Sequence, residues 1–305
     1  MALKGISTGK KDRPALVLIF GGDGLGKSTF ASEAPSPVFL GPEEGTANLD
    51  VARFDNIKTF SDIMLKIDEL INEDHSFKTL AIDSLDHIEP LLWKEICKEG
   101  GNVDVIEDAF GGFGRGFTRA NQKWVEMQHK LSQLREKKGM NIIIIGHSQI
   151  KPFNDPKQPA PYDRHILKLN EKASALWREF VDCVLFVDND TVVRKEKGQQ
   201  KAKAYGENKR ILYTERRPAF DAKNRYGLPA EMPFELGESW AVFFTAMKAG
   251  QPDSLDKVML EINDLMGRAD AETKLKMQTA VANADNDVNK LVKIRNHARV
   301  LVGEE

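Results

Sequence analysis

Apolar residues fall along this chain in two rhythms. Residues 15–20 (ALVLIF) form an unbroken apolar run that stops at a glycine cluster, the pattern of a strand buried on both faces. Residues 37–40 (PVFL) are a second short burst, ending at Gly41-Pro42-Glu43-Glu44-Gly45. Residues 79–83 (TLAID) read as a strand closed by an acid, and residues 141–146 (NIIIIG) as the plainest buried strand in the chain. Residues 181–187 (VDCVLFV) predict another, with shorter strands around Val192 and over 210–214. Between these runs the spacing turns helical. Ile63, Leu65, Ile67, Leu70 and Ile71 mark a helix within 60–72, and further helices are predicted over 27–33, 118–137 and 171–180. Strands alternating with helices predict an α/β fold, a mostly parallel central sheet flanked by helices.

From about Glu238 the strand-like runs stop, and helix-forming stretches remain at 254–266, 273–282 and 289–302. The chain therefore reads as an N-terminal arm (1–14), an α/β core (15–237) and a small helical C-terminal appendage (238–305). Composition narrows the class. The 305 residues carry 44 Lys+Arg against 46 Asp+Glu, a net charge of −2, and 41% are hydrophobic, which excludes wholesale disorder and a globally basic nucleic-acid binder but leaves local basic patches open. No apolar run approaches the ~20 residues of a membrane span. The polar start lacks the apolar core of a signal peptide, so a cytoplasmic protein without a membrane partner is expected. Cys97 and Cys183 support neither a disulfide framework nor a cysteine zinc site.

Gly21-Gly22-Asp23-Gly24-Leu25-Gly26-Lys27-Ser28 satisfies G-x-x-x-x-G-K-[ST] in full, with a strand before it and a helix after. Its glycines permit positive φ and close backbone approach, so successive N–H groups can face phosphate oxygens, and the following helix adds its positive end. Lys27 is expected to bridge β- and γ-phosphates and Ser28 to place its hydroxyl on Mg²⁺, with Thr29 closing the loop. ATP with Mg²⁺ is the expected cofactor. The metal also needs a carboxylate at the end of another strand, and Asp83 suits. Hydrolysis needs a general base to orient water, and Glu43 and Glu44 both stand just past the second strand, at the carboxyl edge where such sheets bind ligands. Gln149, closing the strand over 141–145, is placed to sense the γ-phosphate.

Together these spacings resemble the RecA-like P-loop ATPase core, over roughly 15–233, and are similar to the phage Sak-type single-strand annealing and recombination proteins. The resemblance puts the catalytic glutamate on Glu43, matches Leu80-Ala81-Ile82-Asp83-Ser84 to the second nucleotide motif, and makes Gln149 the residue that couples ATP to DNA. Asp221-Ala222-Lys223-Asn224-Arg225 resembles the Lys-x-basic element of that family, which implies that Lys223 and Arg225 reach the γ-phosphate of a neighbouring subunit. It further implies a homo-oligomer, ring or filament, that binds single-stranded DNA for annealing or strand exchange, with a single-strand-binding protein as a further partner. The same core serves hexameric helicase-type motors. A P-loop small-molecule kinase would share the phosphate loop but work as a monomer.

Such a core holds DNA on two mobile loops. At the first, residues 110–119 interleave aromatics, arginines and glycines, with Phe113, Arg115, Phe117 and Arg119 as contacts; each stacked base is worth about 1–3 kcal/mol whatever its identity. The second, 151–167, has Lys151, Phe153, Lys157 and Arg164 as contacts, and its prolines predict a surface loop. A third basic stretch from Arg194 to Arg217 could track phosphates. His75, His87, His129 and His297 show no ligand spacing.

Overall fold

The computed structural model describes residues 12–190, 192–194, 203–205, 209–249 and 255–303. Residues 1–11 of the expected N-terminal arm lie outside the described residues, as do Lys195, Lys197 and Lys201 of the basic stretch and the side chains of Arg194 and Lys203. The described residues fall into two compact units, one within Arg13–Gly250 and one within Gln251–Glu305.

In the first unit the elements run β1 (Leu16–Gly21), α1 (Lys27–Ser32), β2 (Pro37–Leu40), β3 (Ala52–Arg53), α2 (Phe60–Asn72), β4 (Thr79–Ile82), α3 (Leu85–Glu99), α4 (Arg115–Lys138), β5 (Asn141–Phe153) and β6 (Tyr162–Leu167). They continue through α5 (Glu171–Phe180), β7 (Cys183–Asn189), β8 (Val192–Arg194), β9 (Lys203–Tyr205), β10 (Arg210–Tyr213), β11 (Lys223–Asn224), β12 (Glu231–Pro233) and α6 (Ser239–Ala249). The main sheet has the order β12-β10-β7-β1-β5-β4-β2-β3. From β7 to β3 the strands are parallel, and β10 and β12 extend one edge antiparallel. The expected α/β architecture is the observed one.

The period-2 alternation of β1 sorts its side chains onto two cores. Leu16, Leu18 and Phe20 join a cluster with Ile63, Leu92, Trp124 and Trp177 from α2, α3, α4 and α5. Val17 and Ile19 join another with Phe30 of α1 and Trp240, Phe243 and Met247 of α6. A strand wedged between two such layers has no polar face, hence its unbroken apolar run. Phe30 is fully buried, with its ring 5.4 Å from Trp240 and 5.6 Å from Phe243. Burying each of these side chains contributes about 1.5–3 kcal/mol.

The change of texture near Glu238 does not end the core. Helix α6 begins there, and its start is capped from the far end of the chain: the Glu33 carboxylate accepts from Gly237 N–H at 2.6 Å, Ser239 Oγ at 2.8 Å and Trp240 N–H at 3.0 Å. An acid at a helix amino end satisfies otherwise orphaned donors and the dipole together. The compact unit therefore reaches Gly250.

Residues 151–167 form not a loop but most of a β-hairpin. β5 runs on past the sheet and β6 returns along it, pairing Ser148 with Leu167 and Phe153 with Tyr162. The second unit holds α7 (Leu255–Arg268), α8 (Ala271–Ala282) and α9 (Val288–Leu301) around Val258, Ile262, Leu265, Met277, Leu291 and Ala298. Among the described residues no helix is long and apolar enough to cross a membrane.

Candidate functional site

Because β5 lies between β1 and β4, the carboxyl ends of these strands, with β2 beyond, open onto one cleft of about 600 Å³. The register sets Gly21 beside His147, and Leu40 beside Ile82. The 21–28 loop closes one wall. Gly26, at φ 95°, is the residue before α1 and turns the chain so that α1 starts at Lys27, with no side-chain cap on its N–H groups. On the opposite wall Gly41 lets the β2 end meet the β4 end. A Cβ there would sit 1.8 Å from the Asp83 carbonyl oxygen.

Lys27 is 5% exposed, and its Nζ donates to Gly22 O at 2.7 Å and Gly21 O at 3.3 Å. Burial pushes its ammonium below the ordinary lysine value, while the carboxylates of Asp23, Asp83, Asp86 and Glu43 act against that. An ammonium carries three N–H donors, so one remains for a phosphate oxygen. Ser28 Oγ donates to Asp83 Oδ2 at 2.7 Å. Asp83 is 4% exposed and burial raises its carboxyl, a penalty that a bound dication would reverse. The Asp83–Ser84 peptide is cis. A buried ammonium, a hydroxyl–carboxylate pair and an uncapped helix start are the donor set that a nucleoside triphosphate with Mg²⁺ requires, so the residues present fit that group.

A family model described as an AAA domain matches residues 13–226. The chain belongs to the AAA domain family. It carries a P-loop ATPase core of that type; no curated protein matches it.

The rest of the cleft in this AAA domain contains residues that spacing alone did not single out. Glu43 Oε2 lies 3.1 Å from His87 Nδ1 and 3.4 Å from Ser84 Oγ, and Ser84 Oγ in turn lies 2.8 Å from His87 Nδ1. His87, given no role by its spacing in the sequence, thus holds the glutamate that the resemblance names. The side chain of Glu44, the alternative base, lies outside the described residues. His147 also lines the cleft, between Asp86 at 2.9 Å through Nδ1 and Asp23 at 3.5 Å through Nε2. Two local signals could have found these residues. Asp86 and His87 follow Asp83 by one helical turn, and His147 is the first residue of β5 past Gly146, where the apolar run ends.

Several expected residues sit elsewhere. Gln149 lies two residues beyond His147, half-buried in the hairpin opposite Ile166, and does not line the cleft. Lys223 is spent within its own chain. Its Nζ donates to Arg178 O at 3.0 Å, Glu179 O at 2.9 Å and Val181 O at 2.6 Å, closing the carboxyl end of α5, so its three N–H donors are used within its own subunit. Arg225 remains 59% exposed, 3.7 Å from Asp182 Oδ1.

Of the first DNA loop, Phe113 is 96% exposed at φ 54° and Arg115 is exposed, donating to Phe110 O at 3.1 Å. Phe117 instead packs edge-on against Trp93 at 5.6 Å, and Arg119 faces Glu99 at 3.4 Å. In the hairpin Lys151 and Lys157 are exposed, whereas Phe153 is half-buried beneath the Arg164 guanidinium at 4.9 Å. Arg164 is 4% exposed and paired with Asp221, so it is a structural cation and not a free DNA contact.

Proposed function

We propose that this AAA-family ATPase is a single-stranded-DNA-binding recombination protein that anneals or exchanges strands, working as a homo-oligomer with ATP held at a subunit interface. The observation that carries the reading is Phe113. A phenylalanine 96% exposed, at positive φ with a glycine on either side, gains nothing for the fold of its own chain. It offers an aromatic face on a segment whose glycines let it adapt, beside the exposed Arg115, which suits bases of any identity and the phosphates between them. The resemblance to RecA-like annealing proteins points the same way, since their first DNA loop falls on this segment.

In this reading Lys27 holds phosphate oxygens with its remaining N–H, while Ser28 and Asp83 hold the metal. Glu43, fixed by His87 and Ser84, orients the attacking water as general base. Mg²⁺ bound there supplies a dication that gathers the phosphate oxygens and offsets charge developing on them. Arg225, exposed on its own subunit, is the cation that reaches a neighbour's phosphates. Because nucleotide and DNA favour the same state, each strengthens binding of the other.

The test is fluorescence anisotropy of a labelled oligonucleotide with the full chain, with and without Mg²⁺ and a non-hydrolysable ATP analogue, across a salt series. Binding to single strands that the analogue strengthens and salt weakens steeply is the expected result. No binding in any nucleotide condition would overturn it and leave a small-molecule phosphoryl acceptor as the substrate.

A further inference from the structure

A second cavity, of about 440 Å³, lies between the β5–β6 hairpin and α5, and no residue of the nucleotide cleft lines it. Its lining brings together four cations, Lys151, Arg164, Arg178 and Arg216, against two carboxylates, Asp221 and Glu171. Three of the four, the arginines, converge on one group. Asp221 accepts from Arg164 through Oδ1 and from Arg178 through Oδ2, and Arg216 Nε stands 3.6 Å from Oδ1.

One carboxylate cannot satisfy this arrangement. Three guanidiniums carry five N–H donors each, and two carboxylate oxygens accept about four hydrogen bonds. Arg178 places one further donor, its Nε, on Ser174 O at 3.3 Å. Arg164, 4% exposed, has its Nε buried with no acceptor. Arg216 is 64% exposed and Arg178 35%, so neither side chain is enclosed by protein alone. The excess positive charge is concentrated in a partly enclosed site walled by Phe153, Ile166 and Leu169, where solvent screens it less than on an open surface.

We propose that this cavity is a second phosphate-binding site, separate from the nucleotide cleft, in which Arg178, Arg216 and Lys151 hold the anion while Asp221 keeps the guanidiniums apart and oriented. A tetrahedral group offers acceptors in several directions at once, which suits cations arriving from a hairpin, a helix and the Arg216 segment. The planar carboxylate place is already filled by Asp221. The site also touches the ATP cleft through the chain: Lys168 lines the cleft, and Leu169 and Glu171 line this cavity.

The experiment titrates inorganic phosphate into the full chain, saturated with Mg²⁺ and a non-hydrolysable ATP analogue so that the first site is filled, and follows ³¹P line broadening at constant ionic strength. Saturable binding is expected. Arg216→Gln should weaken it roughly tenfold, the loss of one charge-assisted contact, and Glu171→Gln should tighten it by removing a rim carboxylate. Both side chains are exposed, so neither change threatens the fold. Absence of saturable binding, or equal affinity in wild type and both variants, overturns the proposal. An unlabelled thymidine oligonucleotide then separates the sources. Competition that Arg216→Gln also weakens identifies the phosphate as part of a nucleic-acid backbone, and lack of competition identifies it as a free phosphate or small phosphoester. The site itself stands on the phosphate titration, which does not depend on DNA binding elsewhere.

Discussion

Nδ1 of His147 lies 2.9 Å from Oδ2 of Asp86, and the main-chain N–H of the same histidine donates to Oδ1 at 3.1 Å. The middle of β5, where it passes the end of β1, is thereby fastened to the first turn of α3 at the rim of the nucleotide cleft. Burial on its own would raise the Asp86 carboxyl, but the hydrogen bonds and charge of His147 outweigh it and hold that carboxyl at about 2. In return the Asp86 hydrogen bond raises the imidazole above its ordinary value, against burial and the charge of Lys27. The other ring nitrogen, Nε2, faces Asp23 in the phosphate loop.

A protonated His147 adds positive charge where phosphates bind, and that charge is present below its raised pKa and lost as pH climbs through it. Affinity for an ATP analogue should therefore fall with rising pH across that titration, by about three- to tenfold, the effect of one partly screened charge. His147→Asn should flatten this part of the profile. A variant whose pH profile matches wild type would remove His147 from the binding site.

Lys27→Ala should weaken analogue binding by roughly a hundredfold, since it removes charge-assisted hydrogen bonds from a dry site. Asp83→Asn should behave differently. With Ser28 Oγ only 2.7 Å away, the asparagine keeps a hydrogen-bonding partner but not the charge, so nucleotide still binds while its dependence on Mg²⁺ is lost. Calorimetry with and without Mg²⁺ separates the two effects, and an unchanged metal dependence in Asp83→Asn would reassign the metal ligand.

Glu43→Gln should slow ATP turnover by about 10²–10⁴ while leaving the analogue bound, as removal of a general base does. His87→Ala loosens Glu43, which it holds at 3.1 Å directly and also through Ser84, so a smaller fall in kcat than in Glu43→Gln is expected. Normal turnover in Glu43→Gln would eliminate it as the base.

The parts legible in the sequence were those whose cause is local. Strand β1 shows as an apolar run because both its faces are covered, and the phosphate loop shows because its geometry needs fixed residues at fixed spacing. What escaped depends on neighbours distant in sequence. His147 rather than Gln149 lines the cleft because β5 is registered against β1 at Gly21, a pairing of residues 126 positions apart. Helix α6 belongs to the core because Glu33 caps it from across the fold. The prolines that predicted a loop over 151–167 include Pro152, which sits inside a strand, opposite Asp163 in the two-stranded hairpin where no third strand needs its missing N–H. Lys223 carries a basic pattern that the sequence cannot distinguish from a helix-end cap.

Phe113→Ala should reduce affinity for single-stranded DNA by the worth of one stacked base, about 1–3 kcal/mol or roughly 5- to 150-fold. Being 96% exposed, the ring contributes little to the core, so thermal stability should not change. Phe117→Ala supplies the contrast, because that ring packs on Trp93: stability should fall while DNA affinity per folded molecule holds. Equal DNA binding by wild type and Phe113→Ala would remove the aromatic from the interface.

Glu89 of α3 is 7% exposed, and its two oxygens accept the N–H of Asn170 at 3.1 and 3.0 Å. Asn170 is the residue that caps α5 and stands between Lys168 of the nucleotide cleft and Glu171 of the arginine cavity. Burial raises the Glu89 carboxyl from 4.5 to about 7, and the one backbone donor offsets only part of that. A raised acid binds its proton more tightly in the folded chain than in the unfolded one. Its contribution to stability is therefore full below pH ~4.5, declines as pH rises toward 7, and is gone above that, a change of about 3 kcal/mol at most. Glu89→Gln stays neutral throughout and can still accept from Asn170, so it should lack this decline and gain on wild type as pH rises from 5 to 8. Urea unfolding of both proteins at those two pH values measures the difference directly. If the two lose stability in parallel, Glu89 is ionised in the folded chain at pH 5, and the cap on α5 is held by a charged carboxylate instead of a neutral one.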